Sequence, residues 1–352
     1  MRRLLTLTLI AVLALGVIGF AAGTKDDPYT LIFVPSTEPT VVGRIGDEIA
    51  AALTKITGLE IKAYMVLEDS VAVSEYANAE GDVFGFLNTL LYLDAFEETL
   101  TVKGEPLDLA LLSIRGLYAG YWAGYYVRRA DGYTSLADLE GKIWGYSKPT
   151  STSGYKMPKV TLDNLGVVPS DTLATQSHNA SMVALYNGDV DFCTGYFSPP
   201  KAPVVLRQMG FNWQPSDPLE MGVWNDNPDE TWGETAGVIT GPLAWYCQDL
   251  RQPFLPNVAA AEGGTAYPDI LEKIGVLALS DIIPNDGCSF VPGFPEDDKA
   301  AIIQAIKDFI TTPEGKATFG NSNFYEWDNV IDATDADYDN MRKVLDYPVP
   351  VR

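Results

Sequence analysis

The chain has 352 residues, which is enough for two domains that each bury a core of their own. With 47% hydrophobic and 20% charged residues, its composition is that of a globular protein and excludes a disordered or fibrous chain. Its net charge of −23 repels nucleic acid and anionic lipid, so neither is an expected partner.

The N-terminus has the order of a secretory signal peptide. Arg2 and Arg3 precede an apolar run over residues 4–20, and small residues follow at 21–23. This order predicts a signal peptide over residues 1–23 and a periplasmic or extracellular location for the remainder. The alternative is an uncleaved N-terminal anchor, because the apolar run is close to the shortest length that spans a bilayer.

Strands and helices then alternate along the chain. Hydrophobic periodicity predicts a β-α-β start, with a strand at 29–34, a helix at 41–56 and a strand at 61–66. A helix at 70–78 and a turn at Gly81 lead into the next strand. A second region repeats the scheme, with a strand at 142–146, helices at 154–165 and 177–186, and a turn at Gly188 into a strand. We therefore expect an α/β fold of two similar lobes, each a mostly parallel sheet flanked by helices.

The later part of the chain is less regular. Prolines, glycines and an acidic stretch predict that residues 201–279 form a long irregular insertion, to which the sequence assigns no role. A helix is predicted again at 296–310.

No metal or cofactor site is predicted. The acidic residues 225–230 lack the glycine that a calcium loop requires. The cysteines Cys193, Cys247 and Cys288 fit no zinc spacing and are expected to be buried thiols. A disulfide between Cys193 and Cys247 is the alternative, since an oxidising compartment permits it.

The stretch from Thr150 to Gly154 has four hydroxyl side chains and a glycine between a predicted strand and a predicted helix. Hydroxyls and unpaired backbone N–H groups at a helix N-terminus point donors at one spot, and the helix dipole adds partial positive charge there. The stretch therefore predicts an oxyanion site that needs no cation. The alternative is an ordinary serine cap with solvated neighbours.

Short motifs in a fixed order carry a family resemblance: Ser36-Thr37-Glu38, Gly85-Phe86-Leu87-Asn88, Gly120-Tyr121-Trp122, Ser151-Thr152-Ser153-Gly154, Ser177-His178-Asn179-Ala180 and Ile283-Pro284-Asn285-Asp286. Together they resemble the phosphonate-, phosphite- and phosphate-binding components of ABC importers. The resemblance implies a monomeric type II periplasmic binding fold, a small phosphorus oxyanion in the cleft between two lobes, and an ABC permease in the membrane as partner. It also implies that residues 24–118 and 281–352 form lobe 1 and residues 119–280 form lobe 2.

The resemblance further implies a role for individual residues. The hydroxyls of Ser151, Thr152 and Ser153 are expected to clamp phosphoryl oxygens, with His178 as the pocket histidine. Asp286 is expected to accept a hydrogen bond from a protonated ligand oxygen, which selects the monoprotonated species. Further ligand contacts are expected from Thr37, Phe86, Asn88 and Tyr121.

Three positions depart from the family pattern. Phe86 and Ser70 stand where many relatives have tyrosines. Ser198 occupies the position of the carboxylate that an aminoalkylphosphonate needs for its ammonium group. Aminoethylphosphonate is therefore a disfavoured ligand.

Two other functions fit parts of the sequence. The first is binding of another small anion, such as a sulfonate, to the same hydrogen-bond donors of the predicted oxyanion site. Ser153 and Lys156 satisfy the Ser-x-x-Lys pattern of serine acyl-enzymes, but the Ser-Asp-Asn and Lys-Thr-Gly motifs that accompany this pattern are absent. A binding protein, not an enzyme, is the expected function.

Overall fold

A computed structural model describes residues 22–34, 39–217, 219, 224–225, 233–235, 238–240, 245–321 and 324–350. The predicted signal peptide lies almost entirely outside these residues, and Thr37 lies outside them as well. Among the described helices, none has both the length and the apolar character needed to cross a membrane.

The strands of the described chain are β1 (Tyr29–Phe33), β2 (Ile61–Met65), β3 (Val83–Leu87), β4 (Asp108–Ile114), β5 (Gly120–Arg128), β6 (Ile143–Tyr146), β7 (Asp171–Ala174), β8 (Phe192–Lys201), β9 (Trp224–Asn225), β10 (Gly233–Thr235), β11 (Val238–Thr240), β12 (Trp245–Asp249), β13 (Ile274–Leu279), β14 (Ile283–Pro284), β15 (Gly287–Phe290) and β16 (Asn329–Asp332). The α-helices are α1 (Pro39–Thr57), α2 (Asp69–Asn78), α3 (Thr89–Lys103), α4 (Met157–Leu165), α5 (His178–Asn187), α6 (Val204–Gln208), α7 (Pro256–Glu262), α8 (Ile270–Lys273), α9 (Glu296–Ile310), α10 (Pro313–Thr318) and α11 (Asp339–Leu345).

The first sheet has six strands in the order β16-β4-β15-β3-β1-β2. The predicted β-α-β start is confirmed, since β1 pairs in parallel with β2 and α1 connects them. One face of α1 is buried because its apolar residues recur at helical spacing, at Val42, Ile45, Ile49 and Leu53. The helix predicted at 296–310 is α9, and it packs against α1.

The second sheet has eight strands and contains the path β13-β5-β8-β12-β9. β6 pairs in parallel with both β7 and β8, whereas β5 and β8 are antiparallel. The α/β fold class, with two sheets flanked by helices, is confirmed, and both sheets also contain antiparallel neighbours. In the first sheet β15 is antiparallel to β3 and β4. The reason is topological: strands that enter a sheet from the other one run against their neighbours, which local periodicity does not encode.

The chain crosses between the two sheets twice. It leaves the first sheet after β4 and enters the second at β5, and it returns between β14 and β15. The two crossings are tied together, since β14 pairs with the start of β5. The Asn285 side chain adds hydrogen bonds to the carbonyls of Ser113 (3.0 Å) and Tyr118 (2.9 Å). The two crossing segments therefore lie side by side between the sheets.

The three cysteines are buried free thiols, as the sequence predicts. Cys193 and Cys247 lie in the same apolar cluster of the second sheet without being joined. Burial raises the pKa of each thiol, which disfavours the reactive thiolate.

Candidate functional site

The predicted oxyanion turn follows β6 and begins with a single π-helical turn over Thr152–Lys156, which continues into α4. Ser151 is its N-cap, and its Oγ accepts a hydrogen bond from the Gly154 amide at 3.0 Å. The amides of Tyr155 and Lys156 both donate to the Ser151 carbonyl. No hydrogen bond within the described chain uses the amides of Thr152 and Ser153, so these two donors remain for a ligand.

Neighbouring residues fix the shape of this turn. Thr194 on β8 donates to the Gly154 carbonyl at 2.6 Å and accepts from Trp144 Nε1 at 2.8 Å. A Cβ at position 154 would lie 2.3 Å from Ser147 Oγ and 2.7 Å from Ser151 Oγ. Glycine is therefore required at 154 by close packing, and the turn is held rigidly against the second sheet.

Tyr121 joins the turn to the crossing strands. Its phenol interacts with the side chains of Ser153 and Thr152, which are 3% and 6% exposed. Burial raises the pKa of the Tyr121 phenol and the nearby Asp286 carboxylate adds to the effect, while Arg115 and the two hydroxyls oppose it. Tyr121 thus stays a neutral donor at physiological pH, between the turn and Asp286.

His178 is the first residue of α5, a helix capped by Ser177. Its Nε2 lies 3.4 Å from Ser151 Oγ, which brings the histidine to the oxyanion turn from a second helix N-terminus. Burial, and to a smaller extent the positive charge of Lys148, lower the pKa of His178 to about 4. The imidazole is therefore neutral at pH 7 in the unliganded protein.

Asp286 lies where the chain returns to the first sheet, and its carbonyl accepts from the Ser113 amide at 3.0 Å. Burial raises the pKa of its carboxyl to about 6, against the opposing effects of Arg115 and of a hydrogen bond from Trp327. Arg115 is itself held in place, because its Nε donates to the Tyr325 carbonyl at 3.1 Å. At neutral pH Asp286 is an acceptor with a cation close by.

Phe86 and Asn88 come from the first sheet. Phe86 is 3% exposed and its ring stacks at a tilt on Trp327, with 4.6 Å between ring centroids. Through this contact it supports the tryptophan that bonds Asp286. Asn88 caps α3, with its Oδ1 accepting from the Leu91 amide at 3.2 Å, and its side-chain N–H groups are not used in that cap.

The structure thus links Ser151, Thr152, Ser153, Tyr121 and His178 through side-chain interactions, and Asp286 acts on Tyr121 electrostatically. Phe86 packs on Trp327, Asn88 caps α3, and Thr37 lies outside the described residues. Sequence reasoning missed Arg115, Lys148 and Trp327. None of them has a motif around it, and Trp327 meets Asp286 only because segments distant in sequence are neighbours in the fold.

A cavity of about 270 Å³ lies at the crossing between β4 and β5. Arg115 and Glu326 both line it, and burial raises the pKa of the Glu326 carboxyl. Aromatic rings form part of its wall: Tyr118, Phe211 and Trp213. The volume is sufficient for a small organic group, and none of the oxyanion-turn residues lines this cavity.

The geometry gives the acyl-enzyme alternative no support. Lys156 is exposed while Ser153 is buried, and no hydrogen bond in the described chain joins them. The described residues also contain no group of three or more His, Cys, Asp or Glu side chains placed to hold a metal ion.

Comparison with known proteins decides the family. The sequence matches the family model described as ABC transporter, phosphonate, periplasmic substrate-binding protein over residues 31–338. The chain belongs to this phosphonate-binding family. The family consists of substrate-binding components of transporters, and it implies an extracytoplasmic location.

Solved structures show that this phosphonate-binding family member has the type II periplasmic binding fold. A binding protein of an ABC phosphonate transporter from Pseudomonas aeruginosa is 14% identical with a TM-score of 0.57, and the match covers 90% of this chain and 86% of that one. PhnD1 from Prochlorococcus marinus, in complex with methylphosphonate, is 14% identical with a TM-score of 0.58, covering 90% and 96%. Among curated proteins, no match is found.

Proposed function

We propose that this protein captures a phosphonate between its two sheets and delivers it to the permease of an ABC importer. The observation that carries the proposal is the pair of unused amides at Thr152 and Ser153, together with the hydroxyls of the same residues beside Tyr121. A phosphonate has three oxygens that need charge-assisted hydrogen bonds when they leave water. The amides of Thr152 and Ser153, the hydroxyls of Ser151, Thr152 and Ser153, and the ring of His178 supply enough donors for these oxygens.

Asp286 favours a ligand that still carries a proton. Its carboxyl has a pKa of about 6 and is mostly ionised at pH 7, so it repels a bare oxyanion and accepts from a P–OH group. A monoprotonated phosphonate offers both kinds of oxygen at once. A sulfonate has no such proton, so it leaves Asp286 facing an unprotonated oxygen.

Closure of two lobes would complete the site. The oxyanion turn and His178 belong to the second sheet, whereas Asp286 and Asn88 belong to the first. We propose that residues 24–118 and 281–352 move against residues 119–280 about the two crossings, in a monomer exported by residues 1–23. Binding and the change of shape are then coupled, because the ligand is fully bonded only in the closed state.

We further propose that the cavity beside Arg115 receives the carbon substituent of the phosphonate. Tyr118, Phe211 and Trp213 offer an organic group apolar surface there, beside the charged side chains of Arg115, Lys201 and Arg207. The carbon substituent accepts no hydrogen bond, so an apolar side chain beside it leaves no polar group of the ligand unsatisfied.

A calorimetric panel of phosphate, phosphite, methylphosphonate and taurine tests this function. We expect methylphosphonate to bind most tightly and taurine not to bind. The thermal unfolding temperature should rise with the same ligands, since a ligand that binds only the folded state stabilises it. Tight taurine binding, or no response to any phosphorus oxyanion, would contradict the proposal.

A further inference from the structure

The second ring nitrogen of His178 has an unusual environment. Nδ1 is buried, and no atom of the described chain is its hydrogen-bond partner. It faces Gly195 on β8, where an added Cβ would lie 3.0 Å from Nδ1 and 2.5 Å from Leu250 Cδ2. Nδ1 therefore sits against bare glycine backbone, beside the fully buried Leu250.

This environment discriminates between the protonation states of the imidazole. An imidazolium, or a neutral ring with its proton on Nδ1, would bury an N–H group without an acceptor, which folded proteins avoid. The remaining state carries the proton on Nε2, which faces Ser151 Oγ at 3.4 Å. It is also the only neutral state in which Nε2 donates to an anion.

The charged and titratable neighbours do not favour an imidazolium. Lys148, from the turn after β6, is the charged group that acts on the ring, and its positive charge opposes protonation. The Tyr196 ring on β8 meets the imidazole edge to face at 5.5 Å between centroids. Burial acts in the same direction and, with Lys148, lowers the pKa of His178 to about 4.

We propose that His178 holds the oxyanion as a neutral donor with its proton on Nε2, and that Gly195 and Leu250 are positioning residues that keep it in this tautomer. The proposal rests on the proposed anion site. It has a consequence for the binding equilibrium: His178 does not titrate between about pH 5 and pH 8, so pH dependence in that range belongs to other groups, among them Asp286 and the ligand.

Nuclear magnetic resonance of the full-length protein tests the tautomer directly. His178 is the only histidine in the chain, so a sample labelled with nitrogen-15 in histidine gives a single imidazole pattern. Between about pH 5 and pH 8 we expect one protonated nitrogen, Nε2, and one bare nitrogen, Nδ1, with and without methylphosphonate. An imidazolium at pH 7, or a proton on Nδ1, would overturn the proposal.

Substitutions test the positioning role. Gly195→Ala places a methyl group against Nδ1, so we expect at least about tenfold weaker methylphosphonate binding and a changed imidazole pattern. Gly43→Ala on α1 is the matched control, because its added Cβ meets nothing closer than 3.7 Å. An imidazole pattern in Gly195→Ala that is identical to the wild type would count against positioning by Gly195.

His178→Gln separates a neutral donor from a cation. Glutamine offers an uncharged N–H at a similar reach, so we expect it to retain binding that His178→Ala loses. Equal losses in both variants would contradict a neutral donor. If the wild type binds no phosphonate at all, the proposed function is wrong. The tautomer of His178 in the free protein then still tests whether the imidazole carries its proton on Nε2.

Discussion

Removing one hydroxyl from the oxyanion turn tests the site most directly. Ser153→Ala deletes only Oγ and leaves the backbone amide in place, so the fold of the turn is retained. A hydrogen bond to a charged group contributes about 1.5–3 kcal/mol, which corresponds to roughly a 10- to 150-fold change in Kd. In the unliganded protein the same hydroxyl interacts with Tyr121, and that interaction is also lost. We therefore expect the lower part of the range, about 10- to 30-fold.

Isothermal titration with methylphosphonate measures this loss, and Thr152→Ala should give a similar one. Thr150→Ala is the matched control, because Thr150 lies in the same turn but is exposed and forms no hydrogen bond in the described chain. Its affinity should stay within about twofold of the wild type. Unchanged affinity in both Ser153→Ala and Thr152→Ala, with unchanged melting temperatures, would refute the assignment of this turn as the ligand clamp.

Three further predictions concern Asp286, Asn88 and Lys156. Because burial raises the pKa of Asp286 to about 6, the folded protein binds this proton more tightly than the unfolded chain, so ionisation lowers the free energy of unfolding as the pH rises from about 4 to about 6. Asp286→Asn should therefore melt higher than the wild type above pH 6 but not near pH 4, and a difference independent of pH would contradict this reasoning. Asn88→Ala should lose about 1 kcal/mol of unfolding free energy with its helix cap, as denaturant titration measures, whereas Asn88→Asp keeps the cap. If the Asn88 side chain also donates to the ligand, Asn88→Asp weakens methylphosphonate binding without a change in stability. Equal affinity of Asn88→Asp and the wild type would show that Asn88 acts only as a helix cap. Lys156→Ala should bind normally, and neither it nor the wild type should hydrolyse an ester or β-lactam probe; hydrolysis that depends on Lys156 would contradict a binding role.

Local signals in the sequence were enough to predict most elements of the fold. The helix predicted at 41–56 is α1 at 39–57, and the helix at 296–310 has the predicted limits. The oxyanion turn was also readable, because serine and threonine cap helices through contacts within three or four residues of one another. The cap hydrogen bond from the Gly154 amide to Ser151 Oγ is of this local kind.

Other properties of the site needed the tertiary structure. Neither sheet is uniformly parallel, because the two crossings insert strands that run against their neighbours. Phe86, which the sequence places in the pocket, packs against the Trp327 ring. Arg115 and Trp327, which both act on Asp286, come from separate parts of the chain.

The sequence by itself determined which residue types could bind an oxyanion, since hydrogen-bonding capacity is a property of each side chain and of its immediate neighbours. Only the tertiary structure decided their protonation. Asp286 has a pKa of about 6 and His178 one of about 4 because burial removes water from both groups, and burial is set by what packs around them. Desolvation depends on neighbours that are distant in sequence, and for that reason the acceptor and the neutral donor of this site emerged only from the fold.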